Sequence, residues 1–451
     1  MGGIHPDDAK LSAGSPIRQL PIPKEVKVPL GQHIGAPAQP VVAVGDVVKV
    51  GQLLAQATGF VSANVHSPVS GKVKKIEDFT DANGYAKRGI TIAVDGDEWV
   101  DTIDRSPEVR REVAMAPADI IKRIQEMGIV GMGGATFPAH VKLSLPPGKK
   151  CDALIINGVE CEPYLTSDHR LMLEHGEEVL VGVKILMSAL GVHKAYIGIE
   201  NNKPDAIANL TELAKGFEGI VVQPLKLRYP QGGEKQLIDA LIGRQVPSGR
   251  LPIDVGAVVQ NVGTAFAIYE AVQKNKPLIE RVVCVTGKTL SQPGNFLVRI
   301  GTPVESLIEA AGGMPDDCGK VIGGGPMMGR AYARLDVPVV KGTSGITLLS
   351  VADARRKPVL SCIRCAKCVG VCPMGLEPYL LLSLGKAARL DDLRAERVMD
   401  CIECGSCVFT CPSNRPLLDY IRLGKSGVGA KLRAEAAARK AAEAAKAEVA
   451  K

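Results

Sequence analysis

Two cysteine runs stand out because their spacing suits metal binding. The segments SCIRCAKCVGVCP, residues 361–373, and CIECGSCVFTCP, residues 401–412, both follow the pattern C-x2-C-x2-C-x3-C-P. This spacing of soft thiolate ligands is typical of two-cluster ferredoxins, in which the fourth cysteine of each run ligates the other cluster. The pattern therefore predicts two [4Fe–4S] centres, one held by Cys362, Cys365, Cys368 and Cys411 and the other by Cys401, Cys404, Cys407 and Cys372.

Structural zinc is the alternative for the same cysteines. Zinc ribbons use two C-x2–4-C pairs separated by a long gap, whereas each run here packs four cysteines into eleven residues before a proline. The spacing therefore favours clusters over zinc. The 28 residues between Cys372 and Cys401 are mostly of helical type, so we expect a mainly helical domain around the clusters.

A glycine-rich segment, GIVGMGGATFPAHVKL at residues 128–143, is the candidate flavin site. Clusters carry single electrons, whereas most metabolic donors deliver two together as hydride, so a flavin is usually needed between them. Gly131, Gly133 and Gly134 let backbone N–H groups approach a phosphate or a flavin ring, and Lys142 adds a positive charge. The alternative is an ordinary glycine-rich turn. The segment is not a G-x-G-x-x-G fingerprint, because Thr136 occupies the last glycine position and a helix precedes the loop.

Polar residues follow the next predicted strand, in the segment IINGVECEPYLTSDHR. Asn157, Glu160 and Glu162 lie just after the strand end, which is where α/β sheets bind ligands. Further along, YPQGGEKQLIDAL places Gly232 and Gly233 at a helix start, a position that favours anions. Each signal alone is equally typical of a solvated loop, and it is their order along the chain that indicates a cofactor site.

The elements that position these residues predict a multidomain α/β protein. After a proline-rich, irregular start, residues 36–100 show short β-type runs separated by turn residues. Residues 105–280 alternate between helical and strand patterns, as in ADIIKRIQEMG and DALIING, which indicates an α/β sheet. The expected domains are an N-terminal segment with a β module (1–104), the α/β domain (105–280), a small β module (281–350) and the helical two-cluster domain (351–424). An Ala/Lys-rich tail (425–451) follows, which we expect to be either a solvated helix or disordered.

Composition narrows the function classes. Aromatic residues make up 4% of the chain and the net charge is +7, to which the tail contributes seven Lys and Arg against three Glu, so we expect no nucleic-acid partner. The longest stretch without charged residues, 50–71, is interrupted by polar residues and does not suit a membrane span. The chain does not open like a signal peptide, so we expect a reducing compartment and metal ligation in place of disulfides.

The order of four motifs resembles the flavin- and NADH-binding subunit of respiratory complex I. GMGGATFP…K, NGVECEP, GGEKQLI and QNVGTAF stand where that family has GRGGAGFP…K, NADEGEP, GEETAL and NNVET. Residues 42–76 resemble a biotinyl/lipoyl-type barrel-sandwich hybrid, and VTGKTLSQPGNF with IGGGPMMG resembles a small β-grasp module of the soluble-ligand-binding type. With the two ferredoxin runs behind them, residues from about 3 to 424 resemble the RnfC family of the Rnf complex, a membrane-bound ferredoxin:NAD+ oxidoreductase.

The resemblance implies residues for two nucleotides. The expected contacts of FMN are Gly131, Gly133, Gly134, Thr136, Lys142, Asn157, Glu160, Asn261 and Thr264, and those near the nicotinamide nucleotide are Phe137, Glu162 and Glu234. Four departures from the complex I pattern are Met132 for Arg, Val159 for Asp, and Lys235 and Gly263 for Glu. With these departures, flavin binding is still expected. The departures weaken the expectation that NAD(H) binds as it does in complex I.

The function that the resemblance implies is electron transfer, in which FMN exchanges hydride with NAD(H) and two [4Fe–4S] clusters carry single electrons. The expected partners are the membrane and soluble subunits of an Rnf-type complex and, through them, ferredoxin. The expected location is the cytoplasmic side of the bacterial inner membrane, as a peripheral protein. Alternatives are a soluble cobalamin reductase, in which the sandwich module follows the cluster domain, and a non-enzymatic cluster relay that binds no nucleotide. No acid–base or nucleophilic residue is required.

The barrel-sandwich module lacks the residue that a carrier domain needs. A biotinyl or lipoyl carrier has a lysine at the tip of its central hairpin, where this sequence has GFVSAN, residues 59–64. The nearest lysines, Lys49 and Lys72, lie outside that tip. We therefore expect the module to be structural or to form a docking surface.

Overall fold

The computed structural model describes residues 2–82 and 84–449, and its first domain is a sandwich of two small β-sheets. The chain begins with β1 (Ile17–Gln19), and the sandwich follows with β2 (Glu25–Pro29), β3 (Gln39–Pro40), β4 (Val47–Val48), β5 (Leu53–Gln56), β6 (Val65–His66), β7 (Gly71–Thr80) and β8 (Ala86–Val94). One sheet has the order β2-β8-β7-β4 and the other β3-β5-β6. Val26, Val28, Ile90 and Ile92 alternate along the paired β2 and β8 and are fully buried, as one face of a strand must be. The all-β prediction is confirmed.

A parallel four-stranded sheet with helices on its faces forms the second domain. Its strands are β9 (Ala153–Asn157), β10 (Ala195–Glu200), β11 (Ile220–Leu225) and β12 (Ala257–Asn261), in the order β11-β10-β9-β12. Its helices are α1 (Pro117–Glu126), α2 (Ala139–Leu143), α3 (Ser167–Glu174), α4 (Gly176–Leu190), α5 (Pro204–Ala214), α6 (Glu234–Ile242) and α7 (Val262–Gln273), with a 3₁₀ turn at Pro252–Val255.

The register of this sheet places polar residues of neighbouring strands side by side. Asn157 pairs with Asn261 at the carboxyl ends of β9 and β12. The rest of β9 is apolar and buried, which is typical of a parallel strand covered on both faces. Helix α4 reaches α7 through Gly182, where a Cβ would lie 2.0 Å from the carbonyl oxygen of Ala265. These two helices therefore pack against each other at backbone contact.

The third domain is a six-stranded mixed sheet that includes a strand from the start of the chain. It contains β13 (Glu280–Thr286), β14 (Gly294–Arg299), α8 (Val304–Ala310), β15 (Cys318–Gly323), β16 (Arg330–Ala331) and β17 (Gly345–Ser350). Strand β1 runs parallel to β14 at the edge of this sheet. The expectation that residues 1–35 are irregular is therefore wrong for β1 and β2, because their pairing partners lie far away in the sequence.

The cluster domain is an internal repeat of helices. It contains α9 (Val351–Ala354), α10 (Lys367–Gly370), α11 (Pro378–Lys386), α12 (Leu390–Ala395), a 3₁₀ turn (Val398–Asp400), α13 (Ser406–Phe409) and α14 (Leu417–Val449). Each cysteine run leads through one helical turn, α10 or α13, into a longer helix, α11 or α14. The predicted helical spacer is confirmed. The helical alternative for the tail is also confirmed as far as Val449, and residues 450 and 451 lie outside the described part.

Two glycines at corresponding positions of the repeat set how closely α11 and α14 pack. A Cβ added to Gly385 would lie 2.6 Å from the carbonyl oxygen of Tyr420. A Cβ added to Gly424 would lie 3.7 Å from the Cα of Gly385. The contact at Gly385 involves backbone, which cannot move aside as a flexible side chain does, whereas the nearest atom to a Cβ on Gly424 is the side-chain Cδ1 of Leu393 at 2.6 Å. Close packing of the two helices therefore depends most strongly on Gly385.

Replacement of Gly385 by valine is expected to destabilise the cluster domain by about 1–3 kcal/mol, because a side chain must be forced between two backbones. The measurement is the thermal unfolding midpoint of the cluster-loaded protein. Gly429→Ala is the matched control in α14, where the nearest atom is the mobile guanidinium of Arg433 at 3.4 Å. That control is expected to be neutral or to stabilise by up to about 1 kcal/mol through helix propensity. Equal destabilisation by both changes would contradict the packing account.

Candidate functional site

Four cysteines from the two runs surround one cavity in the cluster domain. Cys372 comes from the first run, and Cys401, Cys404 and Cys407 come from the second. The remaining lining is mainly apolar and consists of Pro373, Met374, Leu376, Pro378, Leu381, Ile402, Gly405, Ser406, Leu418 and Ile421. The sequence predicts this set of four as the ligands of one cluster, and the structure brings them to one place.

The other predicted set lies nearer the surface. Cys368 and Cys411 are half-buried and pack beside Leu382 and Leu417. Cys362 and Cys365 are exposed. Here too a cysteine of one run meets a cysteine of the other, since Cys411 is among the groups that act electrostatically on Cys368.

The loops between the cysteines have the same backbone shape in both runs. Left-handed φ angles occur at Arg364 (55°) and Ala366 (57°) in the first run and at Glu403 (59°) and Gly405 (77°) in the second. Non-glycine residues adopt this conformation only where their surroundings impose it. The repetition of this conformation at corresponding positions indicates that the two loops are shaped around the same kind of ligand.

The thiols of the enclosed set fit the ligands of a cluster. Cys372, Cys401, Cys404 and Cys407 surround one cavity, as ligands of a cubane must. Burial raises the pKa of Cys401 to about 11 and also raises that of Cys407, which neighbouring thiols raise further. The thiols of Cys401 and Cys407 therefore need a bound cationic centre to become thiolates, and the uptake of a cluster releases their protons.

The glycine-rich loop forms an open backbone cradle against the end of β12. The N–H of Gly131 donates to the carbonyl of Phe137 at 2.8 Å, and that of Met132 donates to the buried hydroxyl of Thr264 at 2.9 Å. The N–H groups of Gly133 and Gly134 make no hydrogen bond of ordinary geometry within the described chain. Both residues are exposed, so their N–H groups are available to an anionic ligand.

Gly133 shows that this cradle has no room for a side chain. A Cβ at this position would lie 2.9 Å from the Cβ of Asn261, and its φ is not left-handed. Glycine is therefore required here by close approach alone. The cradle fits a flavin phosphate or ring edge, which also needs direct access to backbone.

Four other predicted residues meet beside the cradle. Lys142 donates to the Glu234 carboxylate at 2.7 Å and to the carbonyl of Val259 at 3.1 Å. The amide of Asn157 donates to Gly232 at 2.9 Å, and the amide of Asn261 lies 3.3 Å from the carbonyl of Asn157. The ends of β9 and β12 and the start of α6 thus place these polar groups around one site.

The two acidic residues of the NGVECEP loop are engaged elsewhere. Glu160 accepts hydrogen bonds from the N–H groups of Asp168 and His169, at 2.8 and 3.1 Å, and so caps the start of α3. Glu162 accepts from the N–H groups of Met327 and Met328, at 3.1 and 2.7 Å. The Glu160 carboxylate therefore supports a helix, and the Glu162 carboxylate joins the α/β domain to the six-stranded sheet domain. Thr136, by contrast, lies at the outer end of the cradle.

Tyr229 is a site residue that sequence reasoning missed. Its ring is buried, and its hydroxyl donates to the carbonyl of Cys404 at 2.8 Å and lies 3.4 Å from the carboxylate of Glu162. It packs in an apolar cluster with Ile4, Cys161 and Cys404. The enclosed cysteine set is thereby joined to the α/β domain. The only sequence signal was its place in the segment YPQGGEK, next to the glycines already singled out.

Two further residues were also missed. Lys10 donates to the carbonyls of Glu160, Glu162 and Leu165, at 2.8, 2.9 and 2.7 Å, and thereby fixes the acidic loop from the N-terminal segment. Asp168 accepts from the amide of Asn261 at 2.7 Å. Burial and the nearby Glu160 raise the pKa of Asp168 to about 7. Lys10 belongs to no motif, and Asp168 lies in the quoted segment IINGVECEPYLTSDHR without a signal that sets it apart from its neighbours.

The four departures from the complex I pattern have identifiable roles. Met132 is buried, and the carbonyl of Val159 accepts from the buried Lys203 at 2.8 Å. Lys235 donates to Pro247 at 3.1 Å, and the N–H of Gly263 is capped by the side chain of Asn261 at 2.9 Å. Met132 and Lys235 act through their side chains, whereas the contacts at Val159 and Gly263 are made by backbone atoms that any residue would supply.

The tip of the barrel-sandwich module is fixed beside the glycine-rich loop. The N–H of Ile34 lies 3.4 Å from the carbonyl of Thr136, and the carbonyl of Phe60 lies 2.9 Å from Nε2 of His140. Buried Lys341 donates to the carbonyls of Asn64 and Gly128, at 2.8 and 2.7 Å. A carrier domain needs a mobile tip, whereas this tip is held by both neighbouring domains, in keeping with a structural role.

Glu162→Gln is expected to remove a pH dependence of stability. Burial raises the pKa of Glu162 to about 7, although the N–H groups of Met327 and Met328 oppose the shift. Because the folded state keeps a proton that the unfolded state releases, stability is expected to fall as pH rises from about 4.3 to about 7, by on the order of 1 kcal/mol. The measurement is the thermal midpoint between pH 5 and 7.5, with Glu305→Gln, an exposed carboxylate, as control. An unchanged pH profile in Glu162→Gln would contradict this assignment.

Four protein families match successive parts of the chain. Residues 1–97 match the RnfC Barrel sandwich hybrid domain, 124–270 the Nuo51 FMN-binding domain, 282–331 the SLBB domain and 354–412 the 4Fe-4S dicluster domain. The predicted architecture is therefore confirmed, as is the prediction of an FMN-binding domain and a domain for two [4Fe–4S] clusters. No helix in the described residues is both long and apolar enough to cross a membrane.

Three relatives align along most of the chain. The chain is 51% identical over 390 residues to the C subunit of the proton-translocating ferredoxin:NAD(+) oxidoreductase complex of Clostridium ljungdahlii, covering 85% of this chain and 84% of that protein. It is 46% identical to the Na(+)-translocating counterpart of Acetobacterium woodii, with coverage of 84% and 85%, and 44% identical to the C subunit of the ion-translocating oxidoreductase complex of Rhodobacter capsulatus, with coverage of 84% and 73%. On this similarity the chain belongs to the RnfC family, the C subunits of ion-translocating ferredoxin:NAD+ oxidoreductase complexes.

Proposed function

We propose that this protein transfers electrons between NAD(H) and the other subunits of an ion-translocating ferredoxin:NAD+ oxidoreductase complex. The observation that carries the proposal is the junction at Tyr229, whose hydroxyl joins the domain of the glycine cradle to Cys404 of the enclosed cysteine set. When bound, FMN exchanges a hydride with NAD(H) and single electrons with [4Fe–4S] clusters. The family and its FMN-binding and dicluster domains support the same function.

The residues proposed to hold FMN lie around the open cradle. Gly133 and Gly134 expose backbone N–H groups and Gly131 closes the loop behind them, Lys142 supplies positive charge, and Asn157 and Asn261 supply amide groups at the strand ends. Thr136, Glu160 and Thr264 support the same loops. The pair of Lys142 and Glu234 stands at one side of the cradle, where opening of the 2.7 Å bridge would free both charges for a nucleotide. Phe137, Glu162 and Glu234 remain the proposed neighbours of NAD(H).

The two cysteine sets have different environments, which supports an order between them. Cys404 of the enclosed set touches the α/β domain through Tyr229, and that set is covered by apolar side chains. Cys362 and Cys365 of the other set are exposed. We therefore place the enclosed set on the flavin side and the exposed set on the side of the partner proteins. Enclosure of the first set also limits access of water to its thiolates.

Partners and location follow from the same proposal. The relatives are named as subunits of complexes, so the other subunits of such a complex are the proposed partners, and ferredoxin is reached through them. With no spanning helix among the described residues, attachment at the membrane would come from these partners. Because NAD(H) and ferredoxin are found in the cytoplasm, we place this protein on the cytoplasmic face of the bacterial inner membrane.

The test is NADH-dependent reduction of ferricyanide by the anaerobically purified protein, together with the flavin released on denaturation. We expect about one FMN per chain and an activity that is lost when flavin is removed and restored when FMN is added back. Lys142→Met is expected to weaken flavin binding, whereas Lys235→Met, on helix α6 with its amine bound to the carbonyl of Pro247, serves as the matched control. Iron and sulfide without flavin, and no NADH-dependent activity, would instead identify a non-enzymatic relay.

A further inference from the structure

An exposed apolar surface surrounds the outer cysteine set. The exposed fractions are 61% for Val359, 57% for Leu360, 68% for Ile363 and 55% for Phe409. Ile363 lies beside Cys362, and Phe409 lies two residues before Cys411. Clusters of large exposed apolar side chains on a soluble domain mark interaction sites. We call these four residues the outer apolar patch.

The segment that carries the patch is held against the second cysteine run. The N–H of Leu360 donates to the carbonyl of Ser413 at 3.0 Å, and the hydroxyl of Ser413 donates to the carbonyl of Ser361 at 2.9 Å. The amide of Asn414 also donates to Pro358 at 3.1 Å. These bonds fix the apolar side chains outward in a defined position, as a docking surface requires.

The charges of the segment that carries Val359, Leu360 and Ile363 have one sign. Arg355, Lys357, Arg364 and Lys367 are exposed and form no ion pair with any described residue. From Arg355 to Leu376 the sequence contains no Asp or Glu. Arg356 is the one cation of this stretch that is paired within the described chain, with Asp419 at 2.9 Å. The outer apolar patch therefore lies within a strongly basic rim.

We propose that this basic, apolar surface docks an acidic face of a redox-carrying protein of the same complex, which exchanges electrons with the chain at the exposed cysteine set. The proposal rests on the proposed function and names the chemistry of its partner. Positive rims of this kind favour an acidic partner and speed its encounter, while the apolar centre holds it once docked. An anionic membrane would satisfy the same charges but has no redox centre to exchange electrons with a cluster held by Cys362 and Cys365, so the position of these cysteines favours a protein.

The experiment compares two triple charge reversals in the complex purified from membranes in mild detergent. The surface variant carries Arg355→Glu, Lys357→Glu and Lys367→Glu, and the matched control carries Arg433→Glu, Arg439→Glu and Lys440→Glu on the exposed part of α14. The readouts are retention of this protein in the complex, ferredoxin:NAD+ activity of the complex, and NADH:ferricyanide activity. Iron content of about eight atoms per chain establishes that the clusters are intact.

For the surface variant we expect about tenfold lower retention or ferredoxin:NAD+ activity at low salt, with NADH:ferricyanide activity within about twofold of the unchanged protein. The control is expected to match the unchanged protein in all readouts. Val359→Ser with Leu360→Ser should weaken retention without changing charge. Equal behaviour of surface variant and control would overturn the docking proposal. Retention decides this even if NADH:ferricyanide activity is missing from the unchanged protein, a result that would count against the proposed function alone.

A vesicle experiment separates the protein partner from a lipid surface. The purified chain is mixed with vesicles of phosphatidylglycerol and phosphatidylcholine, and the bound fraction is measured by flotation. We expect the surface variant and the control to bind equally. Weaker vesicle binding by the surface variant, combined with normal retention in the complex, would assign the surface to the membrane and overturn the proposal.

Discussion

Replacement of Cys372 by serine is expected to lower the iron content from about eight to about four atoms per chain, because one four-iron cluster loses a ligand. The cluster lost should be the one held by Cys401, Cys404 and Cys407, since these three and Cys372 line one cavity although Cys372 belongs to the other run. The measurement is iron and acid-labile sulfide in protein purified without oxygen. Cys151→Ser, a half-buried cysteine of the α/β domain, is the control and should retain all the iron.

Double substitutions decide how the ligands are divided. If the sets are interlaced, Cys372→Ser combined with Cys404→Ser removes one cluster and leaves about four iron atoms. Cys372→Ser combined with Cys365→Ser then removes both clusters. Ligation of each cluster by its own run predicts the reverse outcome for the two double variants, so a reversed result would contradict the arrangement seen in the cavity.

Gly133→Ala is expected to weaken flavin binding about ten- to a hundredfold. The new methyl group would lie 2.9 Å from the Cβ of Asn261, and relief of such a contact costs about 1–3 kcal/mol, because either the cradle or the strand end proposed to contact FMN must move. The measurement is the dissociation constant of FMN with the deflavinated protein. Because the φ of Gly133 is not left-handed, backbone strain does not contribute to the effect.

The control for this prediction is Gly14→Ala. Gly14 is exposed, its φ is also not left-handed, and an added Cβ meets no atom within 4 Å. Flavin affinity in this variant should equal that of the unchanged protein. Normal flavin affinity in Gly133→Ala would show that the cradle either is not the flavin site or is wider than the structure indicates.

Structural features that depend on a short stretch of sequence were predictable. The cysteine spacing fixes which thiols can share a cluster, and the left-handed positions between them repeat because the same loop is built twice. The glycines of the cradle were identifiable from their order with the later motifs, since taken alone they are equally typical of a turn. The apolar run of β9 likewise predicted a strand buried on both faces.

Contacts between distant segments were not predictable from one sequence. Strand β1 has no local pattern that indicates β14 as its partner, and the hydrogen bond from Tyr229 to Cys404 joins residues in different domains. Glu160 was expected at the flavin, yet its oxygens cap α3, because an unpaired helix start competes for the same carboxylate. In each case tertiary packing decides among partners that the local sequence leaves open.

The most direct test of the whole account is the cofactor content of the protein purified without oxygen, measured with every metal quantified. We expect about eight iron atoms, about eight sulfides and about one FMN per chain, with visible absorbance that bleaches when NADH is added. A colourless protein with zinc as its metal and no bound flavin would contradict the central claim that two interlaced cysteine sets serve a flavin site.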